Sequence, residues 1–190
     1  MASSERENGP AHGDLPLAEA VAALQSVLGK IPQRWLLVDV TRQCLVLVLD
    51  GDPQRRWPVS TAAAGINAGE DSGGTPPGVH RIERRIGREA ALGTEFVSRE
   101  PTGRIFSPDK LPGEPDRDLI LTRILTLDGC EEGVNRGPGL DSMKRYIYLH
   151  GTNREDQLGR PVSHGCIRLG NRDIVAVCDL VCEGDPVVII

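Results

Sequence analysis

Short runs of Val, Leu and Ile, repeatedly cut by glycine, proline and aspartate, constrain this chain more than any other feature. Each run ends before a long helical period can establish itself, so strands joined by turns are the expectation. WLLVDV from Trp35 and CLVLVLD from Cys44 read as two strands separated by the turn-like Thr41-Arg42-Gln43. After Asp50-Gly51-Asp52-Pro53, RRWPVSTA reads as a third. Pro58 cannot donate to a ladder, which predicts an edge or a bulge there. VHRIERRI and the stretch up to Ile105, then LILTRILTL, KRYIYLHG and the closing PVVII, continue the pattern. Between them, Gly65–Gly78, Ser107–Asp118 and Gly129–Gly139 are loops rich in turn formers; the chain's 22 Gly and 14 Pro supply such turns.

Helical spacing occurs twice. Leu17, Val21, Leu24 and Leu28 recur with Asp14 as cap and Gly29 and Pro32 as stops. A second helix is expected from about Asn171, with Ile174, Val175, Cys178 and Val181 facing inward. No internal repeat is present. The predicted architecture is mainly β, a sandwich or barrel with a few peripheral helices.

At 190 residues one core suffices. Residues 1–13 are small and polar and read as a tail in which His12 is idle. A net charge of -5 argues against a nucleic-acid partner, and the run Arg81, Arg84, Arg85, Arg88, mixed with Glu83 and Glu89, reads as a solvated face. No stretch is apolar for long enough to span a membrane, and MASSERENGPAHGD lacks the basic start and apolar run of a signal peptide. Five cysteines without framework spacing suit a reducing compartment. The chain is therefore expected to be soluble and unexported.

The chemistry concentrates in SHGCIRL. Read as an extended strand, it sends His164, Cys166 and Arg168 to one face and Ser163, Gly165, Ile167 and Leu169 to the other. A thiol flanked by a proton acceptor and a cation gains thiolate character and becomes a nucleophile. Gly165 removes a side chain where a substrate backbone must approach, and the amides of Gly165 and Cys166 are candidate donors to an oxyanion. His150 ends YIYLH, where Tyr146, Tyr148 and His150 share a face, and it sits beside Gly151. Cys44, Cys130, Cys178 and Cys182 read as small buried hydrophobes. A metal held by His150, His164 and Cys166 is disfavoured, because His164 and Cys166 alternate on one strand and converge poorly on one ion. No cofactor is expected.

Residues 150–174, HGTNREDQLGRPVSHGCIRLGNRDI, resemble the signature of the L,D-transpeptidase (YkuD-type) catalytic domain. PVSTA, TPPGVHRI, RYIYLHGT and GDPVVII extend the likeness over about residues 34–190, leaving residues 1–33 as tail and short helix. The resemblance implies that Cys166 attacks the carbonyl after the L-centre of the third stem-peptide residue of peptidoglycan, expelling the terminal D-residue. His150 then matches the proton-shuttling histidine and His164 the second histidine that shapes the site. Ser163 and Arg168 match supporting positions, with Gly165, Gly151 and Tyr148 beside them. The thioester would pass to an amine of a second stem peptide, to an envelope protein's amine, or to water; the last makes an L,D-carboxypeptidase, and a non-catalytic peptidoglycan-binding module is the reading from another class. The resemblance also implies an envelope address, at odds with the bare N-terminus. His80 follows TPPG where an aromatic or apolar residue is more usual, and is expected to be structural. Arg104 is expected on a solvated surface.

Overall fold

The computed structural model describes residues 15–107 and 117–190. Helix α1, Leu17–Leu28, ends on Gly29, whose φ of 69° supplies the left-handed residue that closes a helix. Asp14, the expected cap, lies outside the described residues, as do residues 1–13. The strands are β1 (Arg34–Asp39), β2 (Cys44–Leu49), β3 (Asp52–Ser60), β4 (Gly78–Ile86), β5 (Thr94–Val97), β6 (Glu100–Ile105), β7 (Ile120–Gly129), β8 (Tyr148–Gly151), β9 (Ile167–Leu169) and β10 (Pro186–Ile189). Helix α2, Asn171–Leu180, lies between the last two.

The strands pair in the order β4-β10-β1-β2-β3-β9-β8-β7-β5-β6, and β4 also pairs with β7. That extra pairing closes eight strands into a ring and leaves the β5–β6 hairpin as an extension hanging from β7. An eight-stranded closure leaves an interior that side chains can fill. Strand alternation does the filling: Leu36, Val38, Leu45, Leu47, Val187 and Ile189 join one cluster, to which α2 adds Ile174, Val177 and Cys178. The opposite faces of the same strands, with Trp35, Leu37, Val46 and Val188, are covered by Ala20 and Leu24 of α1. The mainly β barrel or sandwich read from the sequence is thus the architecture found.

Local departures have local causes. β9 pairs with β3 only at Val59 and Ser60, so Pro58 sits where β3 has a partner on one side alone. On α2 it is Val177, with Ile174 and Cys178, that is buried, whereas Val175 is half-buried. Cys44 and Cys178 are buried and Cys130 half-buried, but Cys182 is exposed, because α2 stops at Leu180 and Cys182 falls in the following turn. Arg85 leaves the solvated face expected of its run: its guanidinium donates to the carbonyls of Cys178 and Val181 at the C-terminal end of α2 (3.0 and 2.7 Å). The stretch Gly65–Gly78 is a loop as expected, though Gly74, Thr75 and Pro76 are buried within it. Most of the Ser107–Asp118 loop lies outside the described residues.

Candidate functional site

Cys166 is held in a turn, not in a strand. Gly165 has φ 129°, a backbone conformation that L side chains rarely adopt, and regular pairing resumes only at Ile167. The even alternation expected for SHGCIRL therefore fails at its centre. His164 does not share a face with Cys166 and Arg168: its side chain is 86% exposed, while that of Arg168 is 3% exposed. A Cβ on Gly165 would stand 3.2 Å from both the Gly74 carbonyl oxygen and Ile147 Cδ1, so the position is closed to larger residues by space as well as by dihedral.

Ser163 braces the turn. Its hydroxyl donates to the Cys166 carbonyl (2.6 Å) and accepts from the Gly165 amide (3.3 Å). The Gly165 amide, a candidate oxyanion donor from the sequence, is thus engaged with its own turn. Thr75, from the Gly65–Gly78 loop, accepts from the Ala62 amide (3.0 Å) and donates to the Gly165 carbonyl (2.9 Å). Arg145 fastens the other side of that loop, donating to the carbonyls of Ala68 and Gly74 (2.9 Å each).

The half-buried thiol donates to the Tyr146 carbonyl at 3.3 Å. Burial pushes the Cys166 thiol up to about 11, and the Asp118 carboxylate adds to the rise; the Tyr148 backbone amide, Arg168 and Arg145 oppose it. Cys166 is therefore a thiol at neutral pH. His150 is buried at the end of β8, and burial holds its imidazole below the usual histidine range, against the pull of the Gly151 carbonyl and Asp118. Its Nδ1 lies 2.8 Å from the Gly151 oxygen. A carbonyl can only accept, so the single proton of the neutral ring sits on Nδ1 and the Nε2 lone pair is left free. No hydrogen bond to Nε2 occurs among the described residues. The parallel pairing of β8 with β9 sets His150 opposite Arg168, two residues past the thiol.

Arg168 is paired within the protein. Its guanidinium pairs with Asp118 and donates to Gln157 (3.2 Å), while its buried Nε has no partner among the described residues. Asp118 also lies 3.5 Å from His164 Nδ1, so one carboxylate joins the buried cation to the exposed histidine. Gly151 is packed tightly: a Cβ there would fall 2.5 Å from Asn171 Oδ1 and 2.7 Å from the Leu121 carbonyl oxygen. Buried Tyr148 packs in the same small cluster as Cys166, and its hydroxyl accepts from Arg99 Nε (2.7 Å). Tyr146, expected to share its face, lies outside β8 with φ 58° and is exposed. Arg104, on β6, is exposed and pairs with Glu95. A concavity of about 790 Å³ lies past the end of β8, lined by Phe106, Thr152, Asn153 and Asn171 among others; neither Cys166 nor His150 lines it. Among the described residues no set of three His, Cys, Asp or Glu is placed to hold a metal ion.

Asp118, Arg145, Thr75 and Arg99 were not singled out from the sequence. Each reaches the thiol's surroundings by chain return, with no local spacing to mark it.

The family profile of the YkuD L,D-transpeptidase catalytic domain matches residues 33–189, the span of the strand ring and the His164–Cys166 turn. The chain belongs to that family. It is 40% identical over 97 residues to a Bacillus licheniformis protein that carries the L,D-transpeptidase name YkuD, covering 45% of this chain and 58% of that one. With the Bacillus subtilis (strain 168) protein of the same name it shares 38% identity over 77 residues, covering 37% of this chain and 47% of that one. The matches thus span about half the length of these relatives. Among solved structures, L,D-transpeptidase 3 from Mycobacterium tuberculosis in complex with a faropenem-derived adduct is similar with a TM-score of 0.51 at 19% identity, covering 83% of this chain and 60% of that one. A mutant of the Enterococcus faecium L,D-transpeptidase gives a TM-score of 0.50 at 15% identity, covering 84% and 50%. These two likenesses concern the fold. No helix among the described residues is long and apolar enough to cross a membrane.

Proposed function

We propose that this chain is a cysteine acyltransferase acting on peptidoglycan stem peptides, with Cys166 as nucleophile and His150 as its base. The observation that carries the reading is the parallel β8–β9 pairing, which sets His150 opposite Arg168, two residues past the thiol, with its Nδ1 held by the Gly151 carbonyl. Burial keeps the thiol protonated and the imidazole neutral, and the Gly151 carbonyl fixes the imidazole proton on Nδ1, which leaves Nε2 as acceptor. Such a pair transfers its proton as the sulfur attacks, a general-base step typically worth ~10²–10⁴-fold.

Cys166 Sγ bonds to the carbonyl carbon of the third residue of the donor stem, and His150 Nε2 takes the thiol proton. The carbonyl electron pair moves to oxygen, with the Cys166 amide as candidate donor to the oxyanion. Collapse breaks the C–N bond, His150 returns the proton to the departing amine of the terminal D-residue, and a thioester remains. An acceptor amine, from a second stem peptide or an envelope protein, then attacks the thioester; His150 removes its proton and the thiol is regenerated. Ser163, Gly165 and Gly151 hold this backbone in place. Arg168 acts through Asp118, and His164 shapes the rim beside the same carboxylate.

Intact-protein mass spectrometry after incubation with a carbapenem tests the reading. A covalent adduct on the unaltered protein that Cys166→Ala lacks supports it; full adduct formation on Cys166→Ala would remove the proposed nucleophile. In stem-peptide turnover, His150→Ala is expected to lose ~10²-fold or more in kcat, and His164→Ala much less. The reverse order would exchange their roles.

A further inference from the structure

The hairpin that extends from β7 presents an arginine at an unusual place. β5 and β6 pair Val97 with Glu100, so Ser98 and Arg99 form a two-residue loop, and both have positive φ, 50° and 74°. Asn and Gly take that conformation with little strain, whereas an arginine does not. The Arg99 side chain is nevertheless rigidly held. Its Nε donates to the Tyr148 hydroxyl (2.7 Å), its NH2 group donates to the Met143 carbonyl (2.9 Å), and its Cζ lies 4.8 Å from the Tyr146 ring centroid and 5.5 Å from that of Tyr148. Both tyrosines adjoin the thiol: Cys166 donates to the Tyr146 carbonyl and packs in one cluster with Tyr148.

This guanidinium has no carboxylate within ion-pair distance among the described residues, although the chain carries 27 Asp and Glu against 22 Lys and Arg. Its NH1 group makes no hydrogen bond there either. A half-buried cation that is fixed on two rings, one contact layer from a nucleophile, and short of a counter-ion is pre-organised for an anion brought by the substrate.

Resting on the function proposed above, we infer that Arg99 binds the C-terminal carboxylate of the donor peptide and makes the enzyme select donors whose leaving residue carries that free acid. On a stem peptide this carboxylate stands three bonds from the carbonyl that Cys166 attacks, nearer than any side-chain carboxylate. That proximity matches the single residue layer between Arg99 and the sulfur.

The test compares acyl-enzyme formation, followed by intact-protein mass spectrometry, on three synthetic tetrapeptide donors: the free acid, its C-terminal amide, and a variant amidated only at a side-chain carboxylate. The unaltered protein is expected to acylate about 10- to 100-fold faster with the free acid than with the C-terminal amide, the range of one charge-assisted contact. The side-chain amide should match the free acid. Arg99→Asn suits the left-handed turn and should fold at least as well, yet it should acylate the free acid and the C-terminal amide at equal, slow rates. Arg99→Lys should recover part of the preference. Equal rates on both peptides in the unaltered protein, a preference that survives Arg99→Asn, or discrimination located at the side-chain amide would each overturn the inference and leave the function intact. Acylation by none of the three would overturn the function itself.

Discussion

At the thiol, the decisive quantity is how little of it is ionised. With burial pushing Cys166 up to about 11, thiolate is scarce at pH 7, so the proposed attack depends on His150 taking the proton in the same step. Peptide-mapped alkylation of Cys166 by iodoacetamide in His150→Ala should therefore rise about tenfold per pH unit through pH 9 and 10 and level off only near 11. A plateau reached by pH 9 would mean that the neighbouring cations outweigh burial. Gly165 makes the second residue-scale case. Gly165→Ala imposes a φ of 129° on an L-residue and a contact of 3.2 Å with the Gly74 carbonyl oxygen. The expected cost is ~1–3 kcal/mol in urea unfolding at pH 7, with loss of carbapenem acylation. A Gly165→Ala protein of unchanged stability and reactivity would show that the turn tolerates other geometries.

Among the elements beside the candidate site, the loop from Gly65 to Gly78 is clamped from two sides. Thr75 ties it to Gly165, and Arg145 ties it to the segment that carries Tyr146. Arg145→Ala removes donors to the Ala68 and Gly74 carbonyls and leaves the carbonyl of buried Gly74 without this donor, which should cost ~1–3 kcal/mol. Hydrogen exchange in residues 67–74 should accelerate while the strands of the ring keep their protection; unchanged exchange in that loop would refute the clamp. The loop itself was legible from its Gly and Pro, and so were β1, β2, β4, β7, β10 and both helices, because period and punctuation are local properties. The candidate residues Cys166, His150 and Ser163 could be picked out for the same reason, as they sit in contiguous motifs. The strand reading of SHGCIRL failed because alternation assumes extended dihedrals throughout, and Gly165 departs from them. Asp118, Arg99 and Arg145 escaped notice for a different reason: each joins the site through contacts that only ring closure and the β5–β6 extension create.

Closure of the whole molecule runs through β4, which pairs with β10 on one side and β7 on the other, and His80 lies at its heart. Fully buried, its ring donates from Nδ1 to the Gly78 carbonyl (3.1 Å) and accepts at Nε2 from the Ser142 hydroxyl (3.0 Å). Asn135, whose carbonyl accepts from the Ser142 amide (3.1 Å), donates in turn to the carbonyls of Pro77 and Val79 (2.9 and 3.0 Å), so the network ties the 131–146 segment to the closing strand. Burial lowers the His80 pKa from 6.5 to about 4. Between those values the unfolded chain binds a proton that the folded one refuses, so the unfolded state gains as pH falls, and stability declines from pH 6.5 toward pH 4. Two pH units inside that window correspond to ~2–3 kcal/mol from this one ring. His150, also held below its usual range, adds its own pH dependence, so the useful comparison is with His80→Gln, which keeps polar contact and removes the titration. Urea unfolding at pH 7 and pH 4.5 should show the unaltered protein losing ~2 kcal/mol more than His80→Gln over that interval. Equal losses in the two proteins would mean that His80 takes up its proton in the folded state, and that the ring closes as well around a charged imidazole as around a neutral one.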